Sequence, residues 1–393
     1  MMGTENEKER LVCSRKSFKI TLICGFLAVW FVLLYLIAVY SNIGFIAKWR
    51  TIYIETAMST MTHQWLATAF IPGSVIDEVM QNTQKDIENS AVASSDVYEP
   101  EKIFEDLAQF LPPREKFSRD FPEIDMQTLP EFDSYSNLNL KDIASLGVRT
   151  VSGDSVWAID AENGICIVEV KGDGYVGKLA IVHDPAQVKL GRTSKSSSGE
   201  TVTQICNNEG AILGINASGF VDYGGHGSGS TPVGLEISEG AKTSGLAGGR
   251  NQICGIDLNN NLRLGYDLDI SELRDAVEFY PIVVLNGEKN VNGSFGLGLQ
   301  PRSVIGQRTD GAILLLIIDG RQVGHSLGAT VSDCADILLN YDAYNAINLD
   351  GGSSASMTYD GEMITKTSSP AKAGRTVPNA WIVMPKEVMV YDD

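Results

Sequence analysis

The chain has 393 residues, 44% of them hydrophobic, so it is long enough and apolar enough to bury a sizeable core. Its formal net charge is −18. Residues 1–50 contain seven basic and three acidic side chains, a net +4, so the residues after them carry −22. This sign argues against a nucleic-acid-binding protein, which needs a basic surface to contact the phosphate backbone.

An apolar segment near the N-terminus is long enough to cross a bilayer. Residues 20–47 contain no charged side chain, and residues 22–40 are almost wholly apolar. A cleaved signal peptide is the alternative, but the apolar run is longer than a usual h-region and no obvious small-residue cleavage site follows it. Two basic residues closely follow the segment, whereas five precede it: Lys8, Arg10, Arg15, Lys16 and Lys19. The positive-inside rule then predicts a single-pass protein of the cell membrane with a cytoplasmic N-terminus and an extracellular catalytic domain.

The composition divides the chain into four segments. We predict a cytoplasmic tail over residues 1–19, a transmembrane helix over 20–47, a juxtamembrane helix and connector over 48–140, and a catalytic domain over 141–393. Apolar residues recur at helical spacing in three stretches between the membrane and the catalytic domain. The predicted helices cover Thr51 to Phe70, Val75 to Glu88 and Pro100 to Phe110.

The catalytic domain begins with predicted strands and then alternates hairpins with short helices. Strands are predicted over Val156 to Asp160, Ile165 to Val170 and Lys178 to Val182. Two capping boxes open helices, one formed by Thr201 and Gln204 and the other by Thr330 and Asp333. Gly210 ends the first helix, Asp342 follows the second, and hairpins turn at residues 259–261 and 360–361. Hairpins mixed with helices predict an α+β fold with a mixed β-sheet and flanking helices.

Three apolar runs of strand length each end at a polar side chain that is closely followed by glycine. Residues 211–215 lead to Asn216, residues 312–318 to Asp319, and residues 346–349 to Asp350. Each could be a strand followed by an ordinary glycine turn. Polar groups at the ends of three buried strands favour a site instead, because burial of a polar group needs compensation. If the three strands lie near each other in one sheet, their polar ends converge on one rim.

Six short motifs follow one another along the second half of the chain. They are GINASGF from Gly214, TPVG from Thr231, PRSVIG from Pro301, IDGRQ from Ile318, NLDGGSS from Asn348 and VPNAW from Val377. Their order resembles the phosphodiester glycosidase family, and the resemblance covers about residues 176–385. The segment around Thr56 to His63, with the membrane helix, is similar to a membrane-anchored bacterial branch associated with exopolysaccharides. The resemblance implies hydrolysis of a sugar from a phosphodiester.

The chemistry of a glycosyl phosphodiester assigns roles to these residues. Asp350 and Asp319 are the predicted catalytic carboxylates, because an oxocarbenium-like centre needs a nearby negative charge. Arg302 and Arg321 are the predicted phosphate clamps, since guanidinium binds phosphate bidentately. An alternative for Asp319 is a structural ion pair with one of these arginines. The full set of predicted substrate-binding residues is Asn216, Thr231, Arg302, Arg321, His325, Asn348, Gly351, Gly352, Ser353 and Ser354.

The sequence predicts a membrane-anchored, extracytoplasmic hydrolase that cleaves a sugar from a glycosyl phosphodiester of an envelope or secreted polysaccharide. The products are free sugar and a phosphomonoester. Two alternatives stay open, a non-catalytic glycan-binding module and a metal-dependent phosphodiesterase. The predicted partners are the carbohydrate phosphodiester and, through the N-terminal helix, the membrane.

Neither a cofactor nor a zinc site is predicted from the residue spacing. The loop from Asp257 has alternating oxygen ligands but lacks the glycine and glutamate of a calcium loop, although a metal acting at Asp350 stays open. A domain of this size needs no disulfide, so buried thiols are expected, with a disulfide as the alternative. The cysteines concerned are Cys166, Cys206, Cys254 and Cys334.

Overall fold

Two units make up the fold, Met1–Asn82 and Thr83–Asp393. The computed structural model describes residues 3–60, 63–89, 94–96, 111–132, 139–141, 143–222, 227–245 and 251–386. The helix predicted over Pro100 to Phe110 lies outside the described residues. The division into four segments at residues 19, 47 and 140 stays a prediction.

The first unit begins with a long helix that contains the predicted membrane span. Within α1 (Gly3–Tyr40), the 23-residue stretch Phe18–Tyr40 includes an 18-residue window with a mean hydropathy of 2.8. This length and composition suffice to cross a membrane, and a signal sequence near an N-terminus has the same properties. The Arg50 guanidinium donates to the carbonyl oxygens of Val39 and Ser41, both at 2.9 Å. These bonds satisfy carbonyl groups that the end of a helix leaves without a partner.

The helix predicted over Thr51 to Phe70 is interrupted in the structure. It consists of α2 (Gly44–Met58) and α3 (Trp65–Thr68). Near the end of α2, the Thr56 hydroxyl donates to the Ile52 carbonyl and the Thr60 hydroxyl to the Ala57 carbonyl. Hydroxyls that compete for backbone carbonyls weaken a helix, which gives a physical reason for an end at this position.

Four more α-helices follow α3 in the described part of the chain. They are α4 (Gly73–Asn89), α5 (Pro113–Asp120), α6 (Val202–Glu209) and α7 (Val331–Leu339). The helix α4 confirms the prediction over Val75 to Glu88. Both predicted capping boxes are present, with Thr201 and Gln204 on α6 and Thr330 and Asp333 on α7.

The strands of the second unit lie in one large sheet and two smaller ones. In chain order they are β1 (Asn139–Lys141), β2 (Ser155–Asp160), β3 (Ile165–Gly172), β4 (Tyr175–Val182), β5 (Val188–Arg192), β6 (Leu213–Asn216), β7 (Glu236–Ser238), β8 (Ala241–Ser244), β9 (Gln252–Asp257), β10 (Leu262–Gly265), β11 (Leu273–Phe279), β12 (Ile282–Leu285), β13 (Glu288–Lys289), β14 (Arg302–Arg308), β15 (Ile313–Ile318), β16 (Ala343–Asn348), β17 (Met357–Tyr359), β18 (Glu362–Met363) and β19 (Asn379–Val383).

The central sheet has nine described strands in the order β1-β2-β3-β4-β15-β14-β16-β12-β13. The second sheet has the order β10-β9-β11-β7-β8, and the third has the order β18-β17-β6-β19-β5. Neighbouring strands in the described part of the chain pair antiparallel. The predicted α+β class with flanking helices is confirmed, as are the hairpins at residues 259–261 and 360–361.

The central sheet is buried on both faces, which divides the core into layers. One face packs against α7 and against the aromatic rings of Phe117 and Phe121 from the α5 region. The other face, called the inner face below, packs against the second and third sheets. Helix α6 covers the far side of the third sheet, where Ile205 packs near Ile382. Four of the cysteines lie in these layers as buried free thiols, as predicted: Cys166, Cys206, Cys254 and Cys334.

The strand ends that carry the predicted site come from two sheets rather than one. Strands β15 and β16 each pair antiparallel with β14, so they run in the same direction. Asp319 and Asp350 therefore follow parallel strands at the same end of the central sheet, about 10 Å apart at two strand spacings. This end of the sheet, where β15 and β16 stop, is called the edge below. The expectation of a single sheet was wrong for β6, which belongs to the third sheet. Its end still meets this edge, because the Ser303 hydroxyl donates to the Asn216 carbonyl at 3.1 Å.

Candidate functional site

A tight turn of glycines follows β16 and presents Asp350 at the edge of the central sheet. The Asp350 amide donates to the Ala217 carbonyl at 3.2 Å, and the Asn216 side chain donates to the Asp350 carbonyl at 2.6 Å. A Cβ on Gly351 would lie 2.6 Å from the Pro301 carbonyl oxygen, and Gly352 has a φ of +61°. Both positions therefore need glycine. The two hydrogen bonds to Asn216 and Ala217 hold the N–H and the carbonyl of Asp350.

The pKa of the Asp350 carboxyl is raised to about 6. Burial is the main cause, and the nearby charge of Asp222 acts in the same direction. A hydrogen bond from Ser354 and the positive charge of Arg375 act in the opposite direction. A carboxyl with this pKa can both hold and release a proton at physiological pH, which suits acid–base chemistry.

The Arg375 guanidinium joins Asp222 to the glycine turn. Its Nη2 donates to the Asp222 carboxylate at 2.5 Å, and its Nη1 donates to the Ser353 hydroxyl at 3.1 Å. The guanidinium carbon also lies 4.7 Å from the centre of the Phe220 ring, a cation–π contact that helps to fix its plane. A positive charge is thereby held beside the Asp350 carboxyl.

A second guanidinium, that of Arg321, reaches the same turn. Its Nε and Nη2 both donate to the Gln300 side-chain oxygen, at 3.1 and 2.6 Å. A Cβ placed on Gly352 would lie 3.3 Å from its Nη2. The turn that carries Asp350 is therefore approached by two planar cations, an arrangement suited to a phosphate group.

Asp319 occupies the neighbouring strand end with a different set of partners. Its carboxylate lies 2.7 Å from Nε2 of His325 and accepts the backbone N–H of Lys366 at 2.9 Å. Burial raises the pKa of Asp319, and these two hydrogen bonds oppose the rise. The next residue, Thr367, donates its hydroxyl to the Ser353 carbonyl at 3.3 Å. A two-residue segment, Lys366–Thr367, thus connects the Asp319 and Asp350 strand ends.

Residues 209–384 match the family model of the phosphodiester glycosidases. This segment of the chain is similar to the phosphodiester glycosidases. The principal charged groups at the edge of the central sheet fall within the matched segment: Asp222, Asp319, Arg321, Asp350 and Arg375.

Two curated proteins are similar to part of this chain. The SPbeta prophage-derived uncharacterized protein YomE of Bacillus subtilis is 25% identical over 206 residues, which are 47% of this chain and 29% of that protein. The N-acetylglucosamine-1-phosphodiester alpha-N-acetylglucosaminidase of Bos taurus is 27% identical over 158 residues, 35% of this chain and 30% of that protein. The chain therefore spans less than a third of the length of either relative.

A solved structure is also similar to part of this chain. It is the zebrafish N-acetylglucosamine-1-phosphodiester alpha-N-acetylglucosaminidase catalytic domain, auto-inhibited by its pro-peptide. The TM-score is 0.47 at 20% sequence identity, covering 56% of this chain and 82% of that domain.

Arg302 is not placed as a phosphate clamp. It shares a sheet face with Val304, which lies on the side of α7 rather than on the inner face. Its guanidinium donates to the backbone carbonyls of Ala329, Leu297 and Gly298, at 2.9, 3.2 and 2.6 Å. Burial lowers its pKa to about 10. We therefore assign Arg302 a structural role in place of the predicted phosphate contact.

Asn216 and Asn348 also have structural partners where substrate contacts were predicted. The Asn216 amide donates to the Asp350 carbonyl and accepts the Ser356 N–H at 3.2 Å, and the residue is fully buried. The Asn348 amide donates to the Tyr280 carbonyl at 2.8 Å. Thr231 is exposed, and its carbonyl accepts the Val221 amide on the segment that leads to Asp222. Asn216 thus positions Asp350, and the substrate contact of Thr231 stays a prediction.

Asp222 and Arg375 were missed by the sequence analysis, although each stands beside a motif that it used. Asp222 lies two residues after the GINASGF motif, and Arg375 lies two residues before VPNAW. A charged residue so close to a family motif is the signal that could have identified both. Among the residues that the structure describes, no group of three or more histidine, cysteine, aspartate or glutamate side chains is placed to hold a metal ion.

Proposed function

We propose that this protein hydrolyses a glycosyl phosphodiester and releases free sugar and a phosphomonoester. The observation that carries the proposal is a carboxyl group of pKa about 6, that of Asp350, on a glycine turn approached by the guanidinium groups of Arg375 and Arg321. The similarity of residues 209–384 to the phosphodiester glycosidases supports the reaction class. The proposed substrate is a phosphodiester-linked sugar of an envelope or secreted polysaccharide.

The two guanidinium groups bind the phosphate half of the substrate. The bond that breaks joins the anomeric carbon to a phosphate oxygen, and the phosphate leaves with the electron pair. Arg375 and Arg321 stabilise the charge on the departing phosphate, because their planar N–H pairs match its oxygens. The Ser353 hydroxyl, already held by Arg375, lies at the same turn and can donate to the same group.

Asp350 serves the sugar half of the substrate. As the bond breaks, the anomeric carbon becomes electron-poor, and an ionised Asp350 stabilises it. In the direct route, Asp350 takes a proton from the attacking water, whose oxygen bonds to the anomeric carbon. Phosphate is a good leaving group, so the site needs no strong general acid. Asp319 remains the second predicted carboxylate, with a role in fixing the Lys366–Thr367 segment beside the turn.

Anchoring in a membrane is part of the proposal. The apolar helix Phe18–Tyr40 supports a single span, and the excess of basic residues before it supports a cytoplasmic N-terminus. The site-bearing unit would then act outside the cytoplasm, where polysaccharides of the envelope are found.

The test is product analysis with the full-length chain purified in detergent. A panel of glycosyl phosphodiesters should yield free sugar plus phosphomonoester. Sugar phosphate as the product would instead indicate a phosphodiesterase that cleaves on the alcohol side, and binding without product would indicate a glycan-binding module.

Asp350→Asn should reduce sugar release by about 10²–10⁴-fold, since the amide keeps the shape without the charge. Asp360→Asn, at an exposed hairpin turn, is the matched control and should retain activity. Arg375→Lys should lower kcat/KM, because lysine lacks the bidentate fork that stabilises the departing phosphate. Wild-type turnover by folded Asp350→Asn would remove Asp350 from the mechanism.

A further inference from the structure

A cavity lies beside Asp319, on the inner face of the central sheet. Its volume is 290 Å³. Most of the side chains that line it are charged or titratable, which is unusual for a position so near the core. These are Glu169, Lys171, Lys178, Asp319, His325 and Lys366.

The cavity arises from a change in side-chain type along three adjacent strands. Successive residues of a strand point to opposite faces, so every second residue of β3, β4 and β15 faces the inner core. Toward one end of the sheet these inward-facing positions change from apolar to charged. On β3, Ile165 and Ile167 are followed by Glu169 and Lys171; on β4, Val182 and Ala180 are preceded by Lys178; after β15, Ile313, Leu315 and Ile317 are followed by Asp319.

Positive charge predominates in this cavity, although the whole chain is acidic. Three lysines face two carboxylates. Glu169 lies across the strand pair from Lys178, 3.8 Å between charged atoms, and also contacts Lys171. Asp319 is bonded to His325 and to a backbone N–H. The two carboxylates therefore balance only part of the charge of the three ammonium groups.

One of the three lysines is packed near the core, and the other two are exposed at the cavity. The Lys178 ammonium lies 4.6 Å from the centre of the Trp157 ring, and its side chain is 11% exposed. The Lys171 side chain is 62% exposed, and the exposed Lys366 has its ammonium 3.5 Å from Nδ1 of His325. An ammonium group has three N–H donors, so these two exposed groups can turn toward an anion in the cavity.

The cavity adjoins the proposed catalytic turn through the Lys366–Thr367 segment. Lys366 lines the cavity, and Thr367 is bonded to the Ser353 carbonyl of the turn. The Gln322 side chain donates to both carbonyls of the segment, at 3.0 and 3.1 Å, and so fixes its course. A chain-like substrate bound at Asp350 can therefore continue into the cavity across two residues.

We propose that this cavity binds a phosphate oxyanion, the next phosphate along a substrate that carries more than one phosphodiester. The inference rests on the proposed function and narrows its substrate to a polyanionic chain. Lysine binds phosphate as a point charge, and three lysines here surround one volume. Lys171 and Lys178 precede residues 209–384, whereas Asp319, His325 and Lys366 lie within them, so the site combines residues from outside and inside the family match.

Binding of inorganic phosphate tests the site separately from catalysis. Titration calorimetry is carried out on full-length Arg375→Gln, in which the proposed clamp at the turn is disabled. Phosphate should still bind, and adding Lys171→Gln and Lys178→Gln should weaken that binding at least tenfold. Adding Lys189→Gln and Lys242→Gln instead, two lysines outside the cavity, is the charge-matched control and should leave it unchanged. No binding, or equal binding in both, would overturn the proposal.

A pair of substrates identifies the source of the phosphate. The readout is the ratio of kcat/KM for a glycoside with two phosphodiesters to that for a glycoside with one. We expect Lys171→Gln with Lys178→Gln to lower this ratio at least tenfold, and the control pair to preserve it. If the two lysine substitutions weaken phosphate binding but leave this ratio unchanged, the cavity binds free phosphate. That result would overturn the proposal that it binds the next phosphate of a substrate chain. If neither glycoside is turned over but phosphate binding depends on the lysines, the proposed function fails while the anion site stands.

Discussion

The pKa of a single carboxyl, that of Asp350, governs how activity should depend on pH. Burial is the main cause of its rise to about 6, and the Ser354 hydroxyl is the hydrogen-bond donor that limits the rise. Because the ionised form acts on the sugar, kcat/KM should increase as pH rises through about 6 and level off above it.

Removal of the Ser354 hydroxyl should move this dependence in a defined direction. Ser354→Ala takes away a hydrogen bond to the carboxylate, so the pKa of Asp350 rises and the ascending limb shifts to higher pH. The measurement is kcat/KM against pH for both proteins. A limb that stays in place, or moves to lower pH, would show that another group sets the profile.

Sequence reasoning at the residue scale succeeded where the cause is local and failed where it is not. The capping residues Thr201 and Thr330 act within three positions, so their pattern is visible in the sequence. Asp222 and Arg375 are 153 positions apart, and only the fold brings them together. Arg302 lies within a family motif and has the right chemistry, but its position on the strand directs its guanidinium toward backbone carbonyls.

The glycine turn after β16 is the element on which the site depends most. In Gly352→Ala the backbone φ of +61° would cost about 1–2 kcal/mol, and the new Cβ would crowd Arg321. We expect a lower melting temperature together with a large loss of activity. Gly361→Ala has a similar φ of +77° in the β17–β18 hairpin, with more open surroundings. It should lose similar stability and retain activity; equal activity losses in both would contradict this role of the turn.

The segment around α5 is held against the central sheet by a buried ionic cluster. Glu123 lies 3.2 Å from His183 and 3.4 Å from Arg308. Burial lowers the pKa of His183, but the Glu123 carboxylate outweighs burial, so the pKa is raised. Burial raises the pKa of Glu123, but His183 and Arg308 outweigh it, so that pKa is lowered. Both groups are therefore charged together over a wide range of pH.

This cluster should make stability depend on pH at both ends of that range. The His183 contribution is fully present below about pH 6.5, the unfolded pKa, and is lost as pH rises through the raised folded pKa. The Glu123 contribution is lost as pH falls through its lowered folded pKa. His183→Gln should flatten the alkaline limb and cost about 1–3 kcal/mol near pH 6. Thermal unfolding between pH 4 and 9 measures this, and an unchanged alkaline limb would contradict it.

Strands and helices could be predicted well because periodicity is a property of neighbouring residues. The strands that pair with a given strand in a sheet could not be predicted, because an apolar run is compatible with any buried position. The run before Asn216 has the same character as the runs before Asp319 and Asp350, yet β6 pairs with β17 and β19 in another sheet. The alternation of side chains along each strand indicates that Lys178 and Asp319 face inward. Only the pairing of β3, β4 and β15 shows that the charged ends of these strands lie side by side and form a cavity.

For the whole molecule, the charge asymmetry around one apolar helix predicts topology. Protease added to intact spheroplasts should remove the unit from Thr83 onward, while an N-terminal tag stays protected because it lies in the cytoplasm. Lysed spheroplasts are the control, in which the tag is also lost. Full protection of the C-terminal unit would contradict the topology. Sequencing of the N-terminus of the membrane-bound protein separates an anchor, which retains residues 1–40, from a cleaved signal sequence.

Asn216 links two sheets, and this has a consequence for how the core and the catalytic turn depend on each other. Its backbone lies in the third sheet, and its amide fixes the Asp350 carbonyl at the end of the central sheet. Packed sheets lie about 10 Å apart, a distance set by the side chains between them. The apolar residues of the inner core thus set the distance between the two sheets, and with it the position of the proposed catalytic turn. A change of volume at Ile347 or Trp381 should alter turnover before it unfolds the protein, even though neither side chain carries a charge.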